Sequence, residues 1–228
     1  MRSRCVAALA LSLTSLACNK EQQPPPTQTT GSALGSATAA AAAAPVSEGA
    51  PAAAVGKPAP DFTLADLDGK EVKLSSFKGK VVVLEWFNPG CPFVVRSHTK
   101  GSLIDTAKKH TDKGVVWLAI NSGAPGKQGH EVAENQEAIK TWSIGHPVLR
   151  DVDGTVGKAY GATNTPNMFV IDATGTVVYA GAIDNSPDGE GQTPIGGTLI
   201  NHVDDALSDV AAGRPVVTPL TKPYGCGV

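Results

Sequence analysis

Cys91 lies where a predicted strand passes into a predicted helix, a position that gives a cysteine special reactivity. The strand is the near-continuous apolar run of residues 81–87, and the helix is predicted over residues 92–110. Unpaired backbone N–H groups at a helix start stabilise negative charge and lower the pKa of a thiol placed there. Pro92 suits the first helical position. The alternative is a cysteine that only fills the core, but this setting favours a nucleophile.

Glu85 is the second candidate for chemistry, six residues before Cys91 in an otherwise apolar strand. Burying a carboxylate costs free energy unless it is paired or used. If the side chain lies beneath the cysteine, we expect a raised pKa and proton exchange with the thiol. The alternative is a carboxylate on the solvent-facing side of the strand.

The first 17 residues have the pattern of an export signal. Arg2 and Arg4 precede an apolar run, residues 6–16, that is too short to span a bilayer as a stable helix. Small residues stand just before Cys18, as in bacterial lipoprotein signals, where the cysteine is lipidated. The pattern predicts a membrane-anchored lipoprotein facing the periplasm, or a secreted protein if Cys18 is not lipidated.

Cys226 is then the only thiol besides Cys91 in the mature domain. Two cysteines left in an oxidising compartment either pair with each other or react with something else. Gly225 and Gly227 flank Cys226 and give the backbone freedom. We therefore predict a mobile tail in which Cys226 resolves the oxidised Cys91. The alternative is an unpaired tail thiol, or one that joins another protein.

Thr165 and Pro166 immediately precede a predicted strand, residues 167–171. Proline is allowed at a strand start, and a tight turn there suits a cis peptide bond. The alternative is a trans proline that opens an edge strand. His98, two helical turns after Cys91, is expected to be solvated, although a His there can also tune a thiolate.

The remaining patterns supply the elements that must position these residues. Two short apolar runs about Asp68 and Gly69 predict a β-hairpin. Further strands are predicted at 115–120 and 176–180, and helices at 131–142 and 197–212. In the helix at 131–142, Val132, Gln136, Ile139 and Trp142 fall on one face. In the helix at 197–212, Leu199, Val203, Leu207 and Val210 do so. This order predicts a mixed sheet with helices on both faces.

Composition divides the chain into three parts. Residues 18–54 are rich in Pro, Ala and Thr with almost no large apolar residues, which predicts a disordered tether between the signal peptide, 1–17, and a folded domain, 55–228. The formal net charge of the 228 residues is −2 and no basic stripe is present, so nucleic acid is not expected as a partner. We predict no cofactor and no metal site.

Three segments carry a family resemblance: PDFTLADLDGKEVKLSSFKGKVVVL, EWFNPGCPFV and GATNTPNMFVIDATGTVVYAGAID. They resemble the alkyl hydroperoxide reductase/thiol-specific antioxidant family of the thioredoxin superfamily. The resemblance implies an α/β thioredoxin-like fold, in which helices flank a central mixed sheet and an N-terminal β-hairpin is added. It also implies that Cys91 is the nucleophile, Glu85 the buried acid, and Thr165-Pro166 the cis-proline loop beside the active site.

The sequence departs from that pattern at several positions. Val94 stands where thioredoxins have their second cysteine. Leu84 and Asn88 stand where peroxiredoxins have a proline and a threonine, although Asn88 can still donate a hydrogen bond. Arg96 and Arg150 are the candidate arginines for a peroxide pocket.

The resulting hypothesis is a thiol-dependent peroxidase, with Cys91 attacking a peroxide and becoming a sulfenic acid that Cys226 converts to a disulfide. One alternative is a thiol–disulfide oxidoreductase that acts on protein disulfides. Another is a non-catalytic binding module in which the two cysteines form a static staple. The partners expected are a peroxide or disulfide substrate, an unidentified thiol electron donor, and a membrane through the lipid anchor.

Overall fold

Strand β3 (Val82–Trp86) lies in the middle of the main sheet and is buried along its whole length. The computed structural model describes residues 53–228. The predicted signal peptide, the predicted lipidation site Cys18 and all but the last two residues of the predicted tether lie outside that range. Ala53 already donates a backbone hydrogen bond to Ala159, at 2.8 Å.

Eight further strands and five helices follow the chain. The strands are β1 (Thr63–Asp66), β2 (Glu71–Lys73), β4 (Val116–Asn121), β5 (Val148–Arg150), β6 (Asn164–Thr165), β7 (Asn167–Ile171), β8 (Val177–Gly181) and β9 (Cys226–Gly227). The helices are α1 (Pro92–Thr99), α2 (Leu103–Thr111), α3 (Val132–Thr141), α4 (Thr155–Tyr160) and α5 (His202–Ala211), and a short 3-10 helix covers Leu74–Phe77. No helix in residues 53–228 combines the length and apolar character needed to cross a membrane.

The main sheet has seven strands in the order β2-β1-β5-β4-β3-β7-β8. β3, β4 and β5 run parallel, while β7 and β1 pair antiparallel with their neighbours. The predicted hairpin is confirmed as β1 and β2, and Gly69 in its turn has a φ of 83°, which glycine adopts without strain. The predicted mixed sheet is therefore confirmed.

Alternation along β3 divides the core into two sides. Leu84 and Trp86 face a cluster that includes Tyr160 of α4. Val83 faces the cluster that holds α2 and α5. Phe87, at the end of the strand, packs with Cys91. The helices therefore cover both faces of the main sheet, as expected. The C-terminal end of β3 lies beside the Cys91 thiol.

The helix predicted over 92–110 is wrong as a single element, because the chain breaks it into α1 and α2 around Gly101. The carbonyl oxygen of Gly189 lies where a side chain on Gly101 would begin, so only glycine fits this close approach. The break also lets Ser102 face Asp184, which accepts a hydrogen bond from its hydroxyl at 2.5 Å.

Two other predictions need correction, and two short elements were not predicted. The stripe on α3 was wrong at Gln136, which is exposed, while Asn135 and Ala138 are buried. The last helix begins at His202, so Leu199 precedes it and is 45% exposed. Neither β5 nor α4 was predicted, because both are short and their residues are placed by contacts from distant parts of the chain.

Candidate active site

Cys91 is the N-cap residue of α1, with Pro92 at the first helical position, as predicted. Its thiol is 0% exposed and lies in an apolar cluster with Phe87 and Val94. The turn before it is shaped by Asn88, whose side-chain oxygen accepts a hydrogen bond from the N–H of Gly90 at 2.9 Å. The amide nitrogen of Asn88 donates elsewhere, to the carbonyl of Gln128 at 3.2 Å. Asn88 therefore supports the turn, and its hydrogen bonds do not reach the thiol.

Cys226 lies directly against Cys91, with 2.7 Å between the two sulfur atoms. The Cys91 thiol also donates a hydrogen bond to the carbonyl oxygen of Thr165, at 3.1 Å. Both cysteines are free thiols in this structure. The two thiols within residues 53–228, which are 135 positions apart in sequence, are thus in contact.

The loop that carries Thr165 holds Cys226 in place. The Thr165-Pro166 peptide bond is cis, as the family resemblance implied. β6, which precedes Pro166, pairs antiparallel with β9, so that Thr165 lies opposite Cys226. Gly225 adopts a φ of 117° against the carbonyl of Thr165, where a side chain would collide with that oxygen.

The C-terminal tail is fixed rather than free to swing. Thr221 donates its backbone N–H to Ala180 at 3.1 Å, which ties the tail to β8. The Tyr224 hydroxyl donates to the buried carboxylate of Asp184 at 2.9 Å. The mobile tail predicted from the sequence is therefore corrected to a bound arm. The glycines that suggested freedom instead allow close approach to the Thr165 loop.

The surroundings of the two thiols shift their pKa values in opposite directions. Burial raises the pKa of Cys91, but hydrogen bonds from the Cys226 thiol and the Val94 backbone N–H, together with the nearby polar Thr165 side chain, outweigh it and lower the pKa below its ordinary value. The Val94 N–H belongs to the first turn of α1, which agrees with the predicted effect of the helix start. Burial and the neighbouring Cys91 raise the pKa of Cys226 to about 11. Cys91 is thus the more acidic thiol of the pair.

Glu85 is fully buried, but its hydrogen bonds do not reach either thiol. One carboxylate oxygen lies 2.7 Å from Nε2 of His98, and the other accepts a hydrogen bond from the indole of Trp117 at 2.9 Å. Nε2 of His146 lies 3.9 Å from the second oxygen and has no hydrogen-bond partner. The sequence correctly placed a carboxylate in the interior, while its partners come from three other elements.

The raised pKa expected for Glu85 is corrected. Burial raises the pKa of Glu85, but attraction by His98 and His146, together with hydrogen bonds from His98 and Trp117, outweighs it and lowers the pKa. A carboxylate held ionised in this way is poorly suited to deliver a proton to the thiol. The solvated position expected for His98 is also wrong, because the ring is buried and stacks on Trp142 with centroids 5.5 Å apart.

His146 and Trp117 were not foreseen as partners of Glu85. His146 lies in a loop that has no distinctive spacing from Glu85, so no sequence signal identifies it. Burial lowers the pKa of His146 to about 4, and the attraction of Glu85 only partly opposes this. The glutamate therefore forms part of a buried polar cluster, which we call the Glu85 cluster: Glu85, His98, Trp117 and His146.

Neither candidate arginine for a peroxide pocket contacts Cys91. Arg96 pairs with Glu190 at 3.7 Å and lies over the ring of Phe93. Arg150 hydrogen bonds to the ring and carbonyl of His130. Val94, in the place of the second thioredoxin cysteine, packs beside Cys91.

A cavity of about 650 Å³ borders the thiol pair on the side of the tail. Thr165, Cys226, Gly227 and Val228 contribute to its wall, and Cys91 does not. Within residues 53–228, no group of three or more His, Cys, Asp or Glu side chains is arranged to hold a metal ion.

Comparison with known proteins places these features in context. The sequence profile of the Redoxin family matches residues 54–193. The thiol-disulfide oxidoreductase ResA of Geobacillus kaustophilus (strain HTA426) is 35% identical over 127 residues, which cover 55% of this chain and 68% of the relative. ResA of Bacillus subtilis (strain 168) is 30% identical over 123 residues, or 54% of this chain and 64% of the relative.

Two solved structures share the fold over most of the described chain. An uncharacterized conserved protein from Geobacillus kaustophilus has a TM-score of 0.64 and 30% identity, covering 77% of this chain and 91% of its own. A hypothetical protein from Sinorhizobium meliloti 1021 has a TM-score of 0.65 and 28% identity, covering 77% and 93%. The thioredoxin-like fold expected from the sequence is thereby confirmed.

Proposed function

The chain belongs to the Redoxin family, and we propose that it acts as a thiol–disulfide oxidoreductase through the pair Cys91 and Cys226. The observation that carries the proposal is the 2.7 Å separation of the two sulfur atoms beside the cis-proline loop. A disulfide forms from this arrangement by a shift of less than about 1 Å. The chain therefore has a two-cysteine centre, although it lacks the Cys-x-x-Cys spacing.

In the proposed reaction the reduced pair gives two electrons to a substrate disulfide. The two cysteines lose two protons and become a disulfide, while the substrate disulfide becomes two thiols. The reverse reaction oxidises a substrate dithiol. The relatives named as thiol-disulfide oxidoreductases support this reaction class. Protein thiols and disulfides are the proposed substrates, and a thiol compound or protein is the proposed electron donor.

The peroxidase reading stays a prediction with less support. A peroxidase needs hydrogen-bond donors beside Cys91 to activate the peroxide. The arginines considered for activating it are engaged elsewhere, and the Asn88 amide donates to Gln128. A second thiol at 2.7 Å would complete a disulfide in either reaction, so the preference for disulfide exchange rests on the engaged arginines and on the relatives named as thiol-disulfide oxidoreductases.

We propose that Glu85 stabilises the fold and takes no part in the thiol chemistry. Its carboxylate holds His98 in the last turn of α1, the helix whose first turn stabilises the Cys91 thiolate. We also propose that the chain is exported and anchored through a lipid on Cys18, as the N-terminal pattern predicts.

The test compares two reactions of the full chain. One is the reduction of a model protein disulfide, insulin, with dithiothreitol as the electron source; the other is the oxidation of Cys91 by hydrogen peroxide. We expect catalysed insulin reduction that Cys91→Ser abolishes, and slow reaction with peroxide. Fast peroxide reduction without insulin reduction would establish the peroxidase instead. Inactivity in both assays, with a stable Cys91–Cys226 disulfide, would establish the static staple.

A further inference from the structure

We propose that an external thiol opens the oxidised pair at the sulfur of Cys226, which it reaches through the 650 Å³ cavity beside the tail. This inference rests on the proposed disulfide chemistry and adds the point of attack. In this proposal the external thiol bonds to Cys226 in the tail, and Cys91 at the helix start is the leaving group.

Access to the two sulfurs is unequal. Cys91 is 0% exposed and is covered by Cys226 and the Thr165 loop. Cys226 is partly exposed, and it lines the cavity that Cys91 does not line. A thiolate must approach a disulfide sulfur closely before it can react, so open space beside that sulfur is required. Only Cys226 has that space along this cavity.

The leaving group favours the same direction. When the external thiolate bonds to Sγ of Cys226, the Cys91–Cys226 bond breaks and its electron pair stays on Cys91 as a thiolate. The Cys91 thiolate is stabilised by the start of α1, where the backbone N–H of Val94 lowers its pKa. Thiol–disulfide exchange is faster when the departing thiol has the lower pKa. Attack at Cys91 would instead expel Cys226, which lies in the short strand β9 rather than at the start of a helix.

A second external thiolate completes the step. It bonds to the external sulfur of the mixed disulfide, which breaks the bond to Cys226 and yields an external disulfide. Cys226 takes a proton from solvent. Two external thiols have then lost two electrons, and the cysteine pair has gained two.

The charges around the cavity suggest which thiol to use as a probe. Lys127 and Lys158 line the cavity, and neither lies within 4 Å of a carboxylate in residues 53–228. Asp153 also lines it, and the N–H of Thr155 that it accepts at 2.9 Å lowers its pKa and keeps it ionised, so these three side chains carry two positive charges and one negative charge. The wall therefore favours a small thiol that carries carboxylates, and glutathione is the probe.

The first experiment maps the adduct. The full chain is oxidised and mixed with glutathione; the reaction is stopped with acid after a fraction of one turnover, and peptides are analysed by mass. We expect glutathione on the Cys226 peptide and a free thiol on Cys91. Glutathione on Cys91 would overturn the inference and leave the oxidoreductase function standing. No reduction of the pair by any thiol would overturn the function itself.

The second experiment measures the rate of reduction by glutathione and decides the matter if no adduct accumulates. Gly227 lines the cavity, and a side chain on it would meet no atom within 4 Å. We expect Gly227→Leu to slow reduction roughly tenfold by obstructing the approach to Cys226. Gly145→Leu is the matched control, since Gly145 has equal open space and lies outside this cavity. Equal rates for both variants and the unaltered protein would overturn the inference.

Discussion

The two ends of α1 carry two polar sites of opposite character. Cys91 caps the first turn, and His98 lies seven residues on, about 10 Å along the helix axis. At the first end, two thiols meet beside a cavity of about 650 Å³, and one of them lines it. At the other end, the Glu85 cluster holds a carboxylate that is 0% exposed.

The difference shows that burying reactive groups near each other does not make them one site. The hydrogen bonds of the thiol pair go to the Thr165 loop and to each other, while those of Glu85 go to His98 and Trp117. We infer that the thiol end performs the chemistry and the Glu85 end stabilises the fold. Substitutions at the two ends should therefore separate activity from stability.

The largest effect is expected from Cys91→Ser. A serine hydroxyl is a far weaker nucleophile and cannot form the disulfide, so insulin reduction should fall by more than roughly a hundredfold. The free energy of unfolding, measured by urea titration under reducing conditions, should change by only about 1 kcal/mol. A large loss of stability with activity retained would reverse the roles assigned to the two ends.

The next effect is expected from Glu85→Ala, on stability. It leaves His98 and Trp117 without their buried partner, and loss of one member of such a pair costs about 3–5 kcal/mol. Glu85→Gln keeps the hydrogen-bonding shape and should cost about 1–3 kcal/mol. Glu134→Gln on the exposed side of α3 is the control, with a change within about 0.5 kcal/mol.

The same variants test whether Glu85 exchanges protons with the thiol. The pH profile of Cys91 alkylation by iodoacetamide should be the same in Glu85→Gln as in the unaltered protein. A shifted pH profile of Cys91 alkylation in folded Glu85→Gln would show that Glu85 and the thiol pair belong to one site.

The pH dependence of stability should come from the Glu85 end. The pKa of His146 is about 4 in the folded protein and about 6.5 when unfolded, so the unfolded chain binds the extra proton first. This contribution to stability is present above pH 6.5 and is lost as the pH falls toward 4, by roughly 3 kcal/mol. His146→Gln should flatten the urea-unfolding profile in that window, whereas His130→Gln, at the half-buried ring beside Arg150, serves as the histidine control. An unchanged slope in His146→Gln would remove this residue as the cause.

The smallest effect is expected from Cys226→Ala, on the pKa of Cys91. The variant loses a hydrogen bond that stabilises the thiolate, so the pKa of Cys91 should rise. Cys226→Ser keeps a donor and should raise it less. The pH profile of Cys91 alkylation measures both, and a lower pKa in Cys226→Ala would contradict the assignment of Cys226 as a donor to the thiolate.

Local sequence patterns were sufficient to predict many of the elements that position the thiol site. The apolar run ending at Phe87, the turn before Cys91 and Pro92 predicted a thiol at a helix start. Gly69 marked the hairpin, and Thr165-Pro166 marked the cis loop. These features depend on residues adjacent in sequence, whose backbone preferences and periodicity act over a few positions.

The tertiary structure decided which groups meet. Cys226 contacts Cys91 only because the tail follows β8 and pairs with β6, a path fixed by Thr221 and Tyr224. The partners of Glu85 come from α1, β4 and the loop before β5, and their attraction and hydrogen bonds outweigh burial and lower its pKa where the sequence suggested a rise. Such outcomes depend on long-range packing and on the balance between burial and neighbouring charges. Neither is encoded in the spacing of residues along the chain.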